Sequence, residues 1–300
     1  MGLVRKQALT GLITSNAKRL GPLEKTLRAQ AKSSPTLGSP ILTPKAYRGH
    51  DYQIAGRAFD FWLRGFLAVR YGGVAEAQTV NELVVNDPTW QGYLNEATVT
   101  YDDGRIVTMR TELVDAVQAR RQAIRKGAID TEAFFENCVT NAMAEGLYRS
   151  GEMTNLGSHP DNVIADLRAL ANAATDRQAF FDGAGLDLNP MFPHQTIAAD
   201  GDFAIGPRLV ELKTVKDQLP PLVFCQVVSY ALLEAWERGC DVRSLRYREV
   251  AVYSARHALF AIVDLHGGDG LLSDLRAFLQ EASDKQRAFQ LTPAGRVTVP

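Results

Sequence analysis

Asp202, Glu211 and Lys213 are the residues in this chain whose types and spacing are best suited to chemistry. They lie in AADGDFAIGPRLVELKTV, two strand-like runs either side of Gly206-Pro207. Side chains alternate along a strand, so Glu211 and Lys213 share one face while Val210, Leu212 and Thr214 take the other. A turn at Gly206-Pro207 returns Asp202 alongside Glu211, with the apolar residues turned into the core. Two carboxylates and an ammonium on one face suit metal-assisted hydrolysis of a phosphodiester. Mg²⁺ or Mn²⁺ takes hard oxygen ligands and keeps several waters, so one or two carboxylates beside a phosphate are enough. Such an ion lowers the pKa of its water and stabilises the charge that builds on phosphate during attack. The lysine can orient that water, its ammonium kept charged by the neighbouring carboxylates.

The [DE]xK tripeptide itself is expected about once by chance in a chain of this composition, so its surroundings must supply the weight. Without them, a surface ion pair on an edge strand explains it equally well. The second half reads β-β-α-β-β-α. A strand over residues 195–205 and another over 208–215 are followed by a helix from about 222 to 238. Two strands, 248–255 and 257–265, and a helix over 271–289 complete it. Phe224, Val227, Val228, Ala231, Leu232 and Ala235 form the apolar stripe of the middle helix. The first half is mostly helical. Ala55, Phe59, Trp62, Phe66 and Val69 recur at helical spacing over residues 53–70, and further helices are expected near 112–126, 131–149 and 161–182. The expected fold class is therefore α/β, a small mixed β-sheet flanked by helices behind a mostly helical N-terminal half.

The pattern D-x8-E-L-K followed by a helix carrying Gln226-x-x-x-Tyr230 resembles the PD-(D/E)XK nuclease superfamily. The Q-x-x-x-Y helix is similar to the RecB-like branch, and NPMF…GDFAI…LVELKT…QVVSYALL looks like uncharacterised bacterial members. The likeness covers roughly residues 189–265, with a fainter echo in GRAFDFWLR and EGLYRSG. It implies a restriction-endonuclease-like core and a Mg²⁺- or Mn²⁺-dependent nuclease, an exonuclease or endonuclease acting on DNA. Asp202 and Glu211 would be metal ligands together with the Leu212 carbonyl, Lys213 the catalytic lysine, and Gln226 and Tyr230 the face that holds the substrate strand. Lys216 is a candidate phosphate contact. Two departures stand out: Gly201 replaces the motif's proline, and GRAFD puts Asp60 where the branch carries a metal-binding histidine. Asp60 could serve a Mg²⁺ site or form an i,i+4 ion pair with Arg64. Glu145, an acid on the helix ahead of the sheet, could reach the same metal or pair with Arg149. His194 reads as structural.

Composition limits the alternatives. No GxxxxGK[ST], GxSxG or HExxH motif is present, and three widely spaced cysteines point to free thiols in a reducing, cytoplasmic setting. The net charge of −1 hides an asymmetry: residues 1–50 carry nine Lys or Arg against Glu24 alone. The expectation is a basic N-terminal arm and linker over 1–50 ahead of one domain over 51–300, helical to 188 and with its catalytic sheet core over 189–300. The arm suits a nucleic-acid partner or is a plain solvated tail; a homodimer or protein partner is possible, and no membrane partner is expected. The competing functional expectation is an inactive nuclease-fold module that binds nucleic acid or another protein.

Overall fold

A computed structural model describes residues 7–36, 40, 41, 44, 47, 50–72, 80–101, 103–150 and 160–291. The chain opens with β1 (Gln7–Ala8), α1 (Leu9–Ser15), α2 (Ala17–Gln30) and β2 (Lys32–Ser33). Helices α3 (Asp51–Arg70), α4 (Val80–Asn86) and α5 (Pro88–Glu96) follow, then the small hairpin β3 (Thr98–Thr100) and β4 (Ile106–Thr108). Next come α6 (Met109–Lys126), α7 (Glu132–Ser150) and α8 (Asp161–Asp176). The strand-rich part comprises β5 (Leu186–Leu188), β6 (Met191–Pro193), β7 (Ile197–Asp200), β8 (Phe203–Ile205) and β9 (Arg208–Lys213). It closes with α9 (Val223–Glu237), β10 (Glu249–Ser254), β11 (Leu259–Asp264) and α10 (Asp269–Leu291).

Local chemistry accounts for the helix ends. Asp51 and Arg70 sit at the ends of α3 that favour their charges. The Thr108 hydroxyl accepts the Thr111 N–H to start α6, and Gly127 stops that helix at φ 69°. Helix α8 starts behind Pro160 with Asp161 in its first turn.

The protein is mixed α/β, with a mixed sheet flanked by helices. Six strands run in the order β2-β11-β10-β9-β8-β5, and only β9–β10 is parallel. Both faces are buried. Phe203, Ile205, Val210, Ala251, Tyr253 and Phe260 face one core with α3, α7 and α8, while Ala204, Leu209, Val250, Val252, Ala261 and Val263 face the other with α2, α9 and α10. The face of β9 that carries Val210 turns into the core, as the alternation expected, and the face that carries Glu211 is buried as well: α9 covers it, and Glu211 is 5% exposed.

Two expectations change. The strand expected over 195–205 is split, with β7 joining β1 and β6 in a separate three-stranded sheet and β8 joining the large one. Gly201 and Asp202 make the bend between them. The Gly201 N–H donates to the Pro190 carbonyl at 3.0 Å, and a Cβ there would press on Pro190, Phe192 and Leu209 at 3.2–3.3 Å. A proline at 201 would lose that hydrogen bond.

The N-terminal segment is built into the body. Gln7–Ala8 pairs with Ile197–Ala198, and Lys32–Ser33 extends the large sheet against β11. Leu9, Leu12, Ile13, Leu20 and Leu27 are buried in the α9 core. Glu24 on α2 accepts the Cys225 N–H at 2.9 Å, held by Arg28 Nε at 2.8 Å. Helix α9 has no side-chain cap of its own, because Leu222 before it carries no side-chain acceptor, so α2 supplies the missing one. Parts of the expected linker, residues 37–39, 42–43 and 45–46, lie outside the described residues. Among the described residues no helix is long and apolar enough to cross a membrane.

Replacing Glu24 by Ala leaves a buried N–H without a partner, so it should lower the free energy of unfolding in urea by about 1–3 kcal/mol. An unchanged midpoint would mean that α9 does not depend on α2.

Candidate active site

The β8–β9 hairpin does the positioning. Phe203, Ala204 and Ile205 pair with Val210, Leu209 and Arg208 around a two-residue turn. Gly206 takes φ 56° there, and a glycine first with a proline second suits a type II′ turn. Pairing stops at Phe203, so β9 outruns its neighbour by three residues. Asp202 fills the open edge: its Oδ2 accepts the Leu212 N–H at 2.6 Å. In an antiparallel ladder the N–H and C=O of one residue point to the same side, so the Leu212 carbonyl is directed to this edge too.

Glu211 sits beside it. Its Oε1 accepts from Lys213 Nζ at 2.6 Å and from Gln226 Nε2 at 3.1 Å. Gln226 also donates to the Tyr230 hydroxyl at 2.6 Å and reaches Thr10 Oγ1 on α1 at 3.3 Å. The Tyr230 ring stacks on Phe192 with centroids 5.3 Å apart. The four-residue spacing thus joins Gln226 and Tyr230 on one buried face of α9, directly over Glu211.

From the opposite side α3 brings Asp60. Its approach depends on Gly56, where a Cβ would stand 2.7 Å from Thr214 Oγ1, just past Lys213. Asp60 makes the i,i+4 pair with Arg64, Oδ2 to Nη2 at 2.7 Å and Oδ1 to Nε at 2.9 Å. Its charge still reaches both Asp202 and Glu211. Asp200, which the sequence reading passed over, adds its charge at Glu211 from the end of β7. Its signal was the A-D-G-D alternation two residues before Asp202.

Electrostatics at this edge are strained. Burial, then the charges of Glu211 and Asp60, raise the Asp202 carboxyl well above the ordinary range. Asp202 keeps part of its surface open, yet protein atoms surround the carboxylate densely. Glu211 is raised by burial as well, with Lys213 opposing and Asp200 and Asp60 adding to the rise. For Lys213, burial alone would favour the neutral amine; the Glu211 and Asp202 charges outweigh it and hold the ammonium. Burial and the Glu211 charge push the Tyr230 phenol far up.

Glu145 is buried on α7, and the side chain of Arg149 lies outside the described residues. The charge of Asp60 acts on both acids of the central pair and that of Asp200 on Glu211. Lys216 is exposed, and its carbonyl meets His257 Nε2 at 3.0 Å. His194 is buried, its ring centroid 4.4 Å from that of Trp236. Sequence reading also missed a clamp on the end of β9. Arg256 donates from Nε to the Thr214 carbonyl at 2.8 Å and pairs with buried Asp166 through both terminal nitrogens, at 3.0 and 2.7 Å.

Among the described residues, no group of three or more His, Cys, Asp or Glu side chains forms a ready-made metal cage. The donors that converge are two carboxylates and a carbonyl edge. Compared with protein-family models, curated proteins and solved structures, the chain matched none.

Two outcomes test this geometry. Gly56→Ala should destabilise the protein by about 1–3 kcal/mol through overpacking, and adding Thr214→Ala should recover most of the loss in a double-mutant cycle. Independent, additive effects would place α3 farther from β9. The second concerns charge. Asp202 and Glu211 bind protons more tightly folded than unfolded. Between the ordinary carboxylate range and their raised values the folded state therefore holds extra protons, and stability falls as pH rises. Asp202→Asn removes one charge and keeps an oxygen for the Leu212 N–H. In EDTA at pH 8 it should raise the thermal midpoint by about 2–4 °C and shrink the gap between pH 5 and pH 8. A lowered midpoint would contradict the strain.

Proposed function

We propose that this chain is a divalent-metal-dependent nuclease of the PD-(D/E)XK type, hydrolysing phosphodiester bonds of DNA. The observation that carries the reading is the hairpin register, which sets Asp202 against the Leu212 N–H and beside the Glu211–Lys213 pair. A restriction-endonuclease-like core belongs to the same proposal. It is supported by the hairpin leading into the central strands of a mixed sheet, with the Gln226–Tyr230 helix laid over it.

The residues present fit Mg²⁺ or Mn²⁺. Their donors are all oxygen, with no thiol or imidazole among them, and two buried like charges with raised proton affinity are what a dication would relieve. Asp202, Glu211 and the Leu212 carbonyl would hold it, with Asp60 able to contribute if Arg64 releases it. When bound, such an ion supplies Lewis-acid stabilisation of phosphate and a water of lowered pKa. Lys213 brings a fixed ammonium to the reacting phosphate, able to orient the attacking water and offset charge on the phosphate oxygens. Gln226 holds Glu211 in place by donating to the same Oε1 that accepts from Lys213. Tyr230, kept neutral, offers a hydroxyl rather than a competing charge.

One observation favours the second reading, a nuclease-fold module that binds without cutting. The acid standing where the family's histidine would be is already engaged by Arg64 through two hydrogen bonds.

Purified protein should cleave linear or single-stranded DNA with Mg²⁺ or Mn²⁺, and EDTA should stop it. Lys213→Ala should lower the rate by at least about 100-fold without loss of fold. Absent cleavage, with DNA affinity indifferent to metal and to Lys213→Ala, would replace the enzyme by the binding module.

A further inference from the structure

Strand β10 carries into the interior two hydroxyls that find no hydrogen-bond partner among the described residues, Tyr253 OH and Ser254 Oγ. As neighbours on a strand they leave opposite faces of the sheet. Tyr253 has a ring to bury, stacked on Phe260 with centroids 5.3 Å apart and edge-on to Phe181 at 5.1 Å, so its packing offsets a bare hydroxyl. Ser254 has no such compensation. It is fully buried, its side chain is little more than the hydroxyl, and an alanine would fill nearly the same space without the cost of burying a polar group.

The register says where this hydroxyl stands. Strand β10 runs parallel to β9, with Val250 opposite Leu209, Ala251 opposite Val210, Val252 opposite Glu211 and Ser254 opposite Lys213. Opposed residues send their side chains off the same face: Val250 and Leu209 enter the α9 core, Ala251 and Val210 the other. Ser254 therefore leaves the sheet beside Lys213, one strand away (about 4.8 Å), on the face that carries Glu211. The Lys213 ammonium has three N–H donors, and among the described residues its acceptor is Glu211 Oε1, at 2.6 Å. That oxygen also accepts from Gln226 at 3.1 Å.

We propose that Ser254 is a positioning residue for Lys213: its Oγ receives the ammonium when a divalent cation takes up Glu211. The inference rests on the nuclease reading and adds a residue of β10 to its machinery. A cation at Glu211 engages the oxygen that otherwise holds Lys213, and it repels the ammonium. A serine oxygen accepts the displaced N–H without adding a charge, so it does not compete for the cation as a further carboxylate would. A hydroxyl idle in the free protein and engaged in the loaded one accounts for a polar group kept bare in a core position.

The test is Ser254→Ala in the full chain, which removes one oxygen and leaves the volume almost unchanged. In EDTA the variant should keep the wild-type thermal midpoint or exceed it by up to about 4 °C, because a bare buried hydroxyl is gone. With saturating Mn²⁺ the rise in midpoint should be about half that of the wild type. On DNA, kcat should fall about 10-fold with KM unchanged. In a Lys213→Met background, adding Ser254→Ala should leave the Mn²⁺-induced rise where Lys213→Met alone puts it. A midpoint lowered in EDTA, a rise equal to that of the wild type, or an effect that survives Lys213→Met overturns the positioning role even if the wild-type chain cleaves DNA. A wild-type chain with neither an Mn²⁺-induced rise nor cleavage overturns the nuclease reading, and the role of Ser254 with it.

Discussion

Two carboxylates that repel one another are kept side by side at the edge of a buried sheet, and much of the structure serves to keep them there. The hydrogen bond from the Leu212 N–H to Asp202 holds one of them where β8 ends and β9 continues. Lys213 and Gln226 hold the other. Neither arrangement is what packing alone would favour, since both carboxyls are driven toward the protonated form. An assembly that accepts such strain at one edge must be over-determined around it. The supports are close packing of α3 on Thr214, the Arg256–Asp166 clamp on the same residue and the cap that α2 lends to α9.

These supports join the two halves of the chain. The helical half contributes α3 and α8, which bring Gly56, Asp60 and Asp166; the strand-rich half contributes the hairpin and α9. The large sheet is the wall between two cores, and the site opens where β8 stops short. A carboxylate chemistry on an open strand face would have been simpler to build. Burial on both sides instead shields Glu211 from water and makes each of its contacts count for more.

The site was legible where periodicity and turn chemistry act locally. Alternation on β9, the Gly206-Pro207 turn and the four-residue spacing of Gln226 and Tyr230 are short-range signals, and the structure places these residues together. The long helices were legible for the same reason, within three residues at their ends, except that the helix expected over 161–182 stops at Asp176 and a separate 3-10 turn follows over Gln178–Phe181. What escaped were features set at long range. The break at Gly201 depends on Pro190, Phe192 and Leu209 filling the space of a side chain. Asp200 enters through that break, and Arg256 finds Asp166 only after the chain has folded. The basic N-terminal segment was misread because its charges outweighed a helical apolar pattern, Leu9, Leu12, Ile13, Leu20 and Leu27, that was present all along. Two-residue strands such as β1 and β2 leave no periodic trace.

The placement of that segment has a consequence for the order in which the protein can be completed. Gln7 pairs with Ile197 and Ser33 with Ala261, so each of these short strands waits for a partner far along the chain. Closing such loops is slow, and nothing rewards it until the distant strand exists. Helix α9 in turn meets its cap only when α2 has docked. The surroundings of the acidic cluster therefore depend on contacts closed over long stretches of chain, and the cluster is a property of the whole fold rather than of any fragment.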